Sequence, residues 1–61
     1  MKRGEDLIQD LKEKGFMRCE TTPDGKAVVM RKQDKWTVVP LRWLNDEAVD
    51  VIKAQAGIRL V

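Results

Sequence analysis

The sequence predicts an α+β fold in the order α-β-β-β-α, a three-stranded antiparallel sheet with both helices on one face. Three observations lead there. Apolar stretches at 27–30 and 36–40 flank the polar break Lys32-Gln33-Asp34-Lys35, which is how a β-hairpin looks in sequence. On either side of this hairpin, apolar residues recur at helical spacing, and each such segment closes on a glycine, Gly15 or Gly57. The chain has 61 residues, enough for one domain spanning 1–61 and no second one.

The first helix is read over 5–14. Leu7, Ile8 and Leu11 make a single stripe, Glu5 and Asp6 suit the electropositive start, and Lys12 and Lys14 suit the electronegative end. Gly15 supplies the left-handed residue that closes many helices, and Phe16 is placed to fold back onto Leu11. Residues 16–21 alternate loosely and predict a first strand, with Cys19 as a small buried hydrophobe. Thr22-Pro23-Asp24-Gly25 is a turn, because proline presets its own φ, aspartate tolerates turn geometry and glycine accepts a positive φ.

A two-residue loop at Gln33-Asp34 sets Arg31 opposite Trp36, Val29 opposite Val38 and Ala27 opposite Pro40, and would stack Arg31 on Trp36 as a cation–π pair. Both faces of this hairpin carry apolar residues, so alternation leaves open which face the helices cover. Pro40 closes the third strand, since it has no N–H to give a central ladder. Residues 41–44 read as a connector. Asn45 is a good N-cap, Asp46 and Glu47 follow it, and Leu44 and Val49 stand at the spacing of a hydrophobic staple. The second helix is expected over 46–56, with Ala48, Val49, Val51, Ile52 and Gln55 inward and Asp50 and Lys53 outward. The small core and the apolar tail Arg59-Leu60-Val61 together suggest a weak homodimer.

Charge is distributed unevenly. Lys and Arg number 12 against 10 Asp and Glu, a net charge of +2, yet between Gly25 and Trp43 five cations face Asp34 alone. The candidate contact residues are therefore Lys26, Arg31, Lys32, Lys35 and Arg42, with Trp36 and Trp43 as stacking or anchoring groups. Such a set fits RNA or DNA, through phosphate contacts and base stacking. It equally fits a partner protein, because Trp and Arg dominate interface hot spots. Lysines that discourage edge-to-edge pairing of strands account for part of the pattern.

Several functions are disfavoured. The chain has no histidine and one cysteine, which rules out an internal disulfide and the usual zinc ligand sets, so no metal and no cofactor are expected. Catalysis would fall on Cys19, which lacks a base, on Lys26, or on Asp46 and Glu47, which as helix neighbours do not face each other. No apolar run approaches the ~20 residues of a membrane span. Lys2 and Arg3 lead into Glu5, Asp6 and Asp10 and not into a signal core, so a cytoplasmic protein without membrane contact is expected.

The chain also resembles the small HicA/YcfA family. The resemblance is carried by Leu7, Ile8 and Leu11 followed by Lys14-Gly15-Phe16, by the valine-rich strand ending in Pro40, and by Ile52-Lys53-Ala54-Gln55-Ala56-Gly57-Ile58. It implies a fold related to the double-stranded-RNA-binding domain and an mRNA-cleaving toxin neutralised by a partner antitoxin. The catalytic histidine of that family stands in a Gly-Ser-His segment at the start of the second strand. Asp24-Gly25-Lys26 occupies that place here, and Arg42 falls near the family's second common histidine. Neither lysine nor arginine titrates near neutrality as histidine does. What carries over is the fold and a non-catalytic binding role, not the ribonuclease activity.

Overall fold

The computed structural model describes residues 1–57, and the apolar tail invoked for dimerisation lies outside them. The elements are β1 (Lys2–Arg3), α1 (Gly4–Glu13), β2 (Met17–Thr21), β3 (Ala27–Lys32), β4 (Lys35–Pro40), β5 (Trp43–Leu44) and α2 (Asp46–Gln55). Strands β2, β3 and β4 form an antiparallel sheet in that order, with β3 central. The class is α+β as the sequence predicts. An additional two-residue ladder joins β1 to β5.

The β3–β4 register is the expected one: Arg31 faces Trp36, Val29 faces Val38 and Ala27 faces Pro40. Which face the helices cover is also settled. Val28, Met30, Thr37 and Val39 are fully buried and form one core with Leu7, Ile8 and Leu11 of α1, Phe16, Leu44, and Val49, Ile52 and Ala56 at α2. Thr37 sits in this core without penalty because its hydroxyl donates to the Ile52 carbonyl at 3.2 Å. The opposite face, with Ala27, Val29, Arg31, Trp36, Val38 and Pro40, has no element over it among the described residues.

Both helices end as their glycines dictate. Gly15 takes φ +95°, the Phe16 amide reaches the Leu11 carbonyl and the Gly15 amide that of Lys12, both at 3.0 Å, a Schellman closure. Gly57 takes φ +75°. At its start α2 is capped by Asn45, whose Oδ1 accepts from the Ala48 amide at 2.8 Å, and the staple residues Leu44 and Val49 are both buried.

Four expectations are corrected. Cys19 is exposed and not buried: β2 is an edge strand exposed on both faces, and Cys19 shares the uncovered side with Met17. The β2–β3 register also slips between Arg18 and Glu20, a bulge at Cys19. The segment 41–44 is not a plain connector, since Trp43 and Leu44 pair with Arg3 and Lys2. Arg31 does not stack on Trp36: its Nε donates to the Gln33 carbonyl at 3.2 Å, and the cation–π contact is Arg3 over Trp43 at 6.0 Å. On α2, Val51 and Gln55 point outward, and Ala56 completes the inner stripe with Val49 and Ile52.

Gly4 was not singled out by sequence, yet its place is the tightest of the four glycines. A Cβ there would lie 1.9 Å from the Pro40 carbonyl oxygen, so only glycine lets the start of α1 press against the 40–41 backbone. Its amide donates to the Arg42 carbonyl at 2.8 Å.

Candidate functional site

The seven candidate residues do not form one surface. β3 carries Lys26 just before its first residue and Lys32 at its last, which places them at opposite ends of the sheet, roughly 20 Å apart at the usual rise per strand residue. Lys32 and Lys35 sit at the β3–β4 turn. Arg31 and Trp36 lie on the uncovered face. Lys26, Arg42 and Trp43 gather at the far end, with β1 and β5.

At the turn end, Lys32 and Lys35 already have partners in the fold. The Lys32 ammonium donates to the Lys14 carbonyl at 2.8 Å, at the close of α1. The Lys35 side chain lies alongside Gly57, at the close of α2. Each lysine thus meets the electronegative end of a helix. Lys12 and Lys53, in the last turns of the two helices, add to the same end, as does Lys14. Between these groups runs a groove floored by Phe16 and Ala56.

The uncovered face is ordered in rows. Cross-strand partners share a face, so Met17, Arg31 and Trp36 form one row across β2, β3 and β4, and Glu20, Val29 and Val38 form the next. Trp36 is 60% exposed and Met17 73%. A shallow depression on this face is lined by Cys19, Glu20, Val29, Arg31, Asp34 and Trp36. Its charges nearly balance.

The loop between β2 and β3 is a self-contained turn. The Asp24 carboxylate accepts from the Thr22 hydroxyl at 2.6 Å and from the Lys26 amide at 2.9 Å, and Gly25 takes φ +72°. These two bonds, the hydroxyl first, hold the Asp24 carboxyl below its usual range. The Lys26 carbonyl accepts from the Leu41 amide at 2.8 Å, which ties the turn to the end of β4. Its side chain is exposed.

At this far end Arg3 faces Trp43 in register, and Arg42 Nη1 donates to the Trp43 carbonyl at 3.1 Å. Arg3 and Gly4 escaped the sequence reading, because a two-residue strand leaves no periodicity to detect. The only available signal was a glycine at a helix start. Among the described residues no three His, Cys, Asp or Glu side chains group as a metal site, and no helix is long and apolar enough to cross a membrane.

The fold and surface define a small α+β domain whose sheet is covered on one side and, among the described residues, open on the other. No family model matches the chain, and neither the curated proteins nor the solved structures contain a significant match.

Proposed function

We propose that this protein is a non-catalytic binding module that docks a partner protein on the uncovered face of its sheet. The observation that carries this reading is Trp36, largely exposed on edge strand β4 near the β3–β4 turn, on a face that also presents Met17, Val29, Val38 and Arg31. A buried tryptophan contributes 150–250 Å² of contact, roughly, and Trp with Arg at the centre of a patch is the usual composition of a hot spot. The fitting partner presents an apolar patch with few net charges, since Arg31 stands against Glu20 and Asp34 on this face.

The second reading is nucleic-acid docking, through the basic β3–β4 hairpin. Lys12, Lys14, Lys32, Lys35 and Lys53 at one end of the molecule favour it, as does the resemblance to a family of RNA-acting proteins. Two of those lysines are engaged with helix ends, which lowers their availability to phosphate.

One experiment separates the readings: a pull-down from lysate with the wild-type protein and with Trp36→Ala, each with and without nuclease. The expected result is a protein retained after nuclease by the wild type and lost with Trp36→Ala, while circular dichroism shows the variant folded. A captured species that disappears with nuclease transfers support to the nucleic-acid reading. Equal capture by the variant removes the sheet face from consideration.

A further inference from the structure

The end of the sheet away from the β3–β4 turn carries a second constellation, independent of Trp36. An open groove of about 300 Å³ is lined by Arg3, Gly4, Glu5, Leu41, Arg42 and Trp43. Its walls are fixed by backbone. Arg3 and Trp43 are paired across the β1–β5 ladder, the Gly4 amide is bonded to the Arg42 carbonyl, and the 40–41 backbone lies against Gly4 so closely that no side chain fits between them.

Two guanidinium groups and an indole project from this frame. Arg42 is held by one Nη1 bond to the Trp43 carbonyl. Arg3 meets Asp6 through Nε at 3.7 Å, and its terminal amino groups make no hydrogen bond among the described residues. Arg3 covers one side of the indole at 6.0 Å, and Trp43 remains 60% exposed. Guanidinium forks match phosphate oxygens in pairs, and an indole face stacks any nucleobase. The lysine-lined groove at the turn end is the poorer anion site, because both helices bring their electronegative ends to it and Lys32 is already bonded there.

We propose that the Arg3–Arg42–Trp43 groove binds a nucleoside monophosphate unit, with the base on Trp43 and the phosphate between the two arginines. That chemistry is shared by a free nucleotide and by the phosphorylated end of a single nucleic-acid strand. Glu5 and Asp6 flank the site, so a phosphate has to compete with carboxylates for Arg3, and the binding is weak and salt-sensitive.

The test uses the full chain carrying Trp36→Phe, which makes Trp43 the sole fluorophore and leaves the groove intact. Adenosine monophosphate, a 5′-phosphorylated pentanucleotide, adenosine and inorganic phosphate are titrated separately. The expected result is saturable quenching by the monophosphate, with adenosine and phosphate each at least about ten-fold weaker, because each supplies half of the contacts. Arg3→Gln and Arg42→Gln each weaken it by about ten-fold, and Arg42→Lys restores part of the loss, with thermal midpoints confirming that the variants stay folded. Tighter binding of the pentanucleotide identifies a strand end as the ligand, and equal or weaker binding identifies the free nucleotide. Absence of saturable quenching by either up to about 5 mM overturns the proposal, as does quenching that survives both glutamine substitutions. Because the readout comes from Trp43 in a chain without Trp36, failure here leaves the sheet-face reading standing.

Discussion

Replacing Gly4 by alanine is the sharpest probe of how this small fold closes. The added methyl would stand 1.9 Å from the Pro40 carbonyl oxygen and 2.9 Å from its carbon, both backbone atoms with no rotamer to turn away. Reaching an ordinary C···O separation of about 3.3 Å requires a shift of about 1.4 Å. A shift of that size breaks the 2.8 Å bond from the Gly4 amide to the Arg42 carbonyl, which leaves about 0.5–1.5 kcal/mol unmade. Forcing the backbone apart adds about 1–3 kcal/mol, as overpacking does elsewhere. Alanine recovers up to about 1 kcal/mol as the better helix former, so the net loss is about 0.5–3.5 kcal/mol. In urea, at a slope of roughly 1 kcal/mol/M for so short a chain, the midpoint falls by about 0.5–3.5 M. Gly25→Ala is the control: a Cβ there meets nothing within 4 Å, so only its φ of +72° opposes the change, at about 1–2 kcal/mol. A Gly4→Ala midpoint within about 0.3 M of wild type, at unchanged slope, would refute the reasoning.

Three further outcomes follow from the structure. The Cys19 thiol, exposed on the bulged strand, reacts with a disulfide reagent in the native protein about as fast as in denaturant, and strong native-state protection would mean that β2 is covered. Gln33 is the one described non-glycine residue at positive φ, +56° at the first position of its two-residue loop, so Gln33→Gly raises stability by about 0.5–1 kcal/mol in chemical denaturation; a loss of stability would contradict that geometry. The Asp24 carboxyl is lowered in the folded state, so its contribution is present above the ordinary value of 3.8 and is withdrawn as pH falls below it. Asp24→Asn therefore flattens the acid limb of the stability curve below about pH 4, and parallel limbs for variant and wild type would show that those hydrogen bonds do not favour the charged form.

Local chemistry made much of this fold legible in the sequence. The α1 stripe, the Gly15 and Gly57 closures, the Asn45 cap and the β3–β4 register all follow from signals within a few residues of one another. What escaped depends on contacts distant in sequence. Cys19 reads as buried on alternation alone, and that β2 is an edge strand with neither face covered shows only in how the sheet and helices assemble. The β1–β5 ladder joins residues some forty positions apart and two residues long, below the length at which any period can register. The candidate site was legible as a list of residue types and not as a place. The five cations cluster in sequence, yet the strand rise sends Lys26 and Lys32 to opposite ends, and the helix termini claim Lys32 and Lys35 for stability. Trp36, whose face the sequence leaves open, is exposed, and Trp43 gained the arginine neighbour that Trp36 was expected to have.

The bulge at Cys19 also limits how the molecule can be approached. A fully exposed edge strand is a template on which further strands can zip, and stacking of that kind is how fibrils grow. In β2 the extra residue throws the outward amides and carbonyls out of step, and Arg18 and Glu20 put charge on either side of the fault. An incoming extended chain finds no continuous run of bonds to copy. Along the β2 edge, therefore, the sheet resists being lengthened by a further strand.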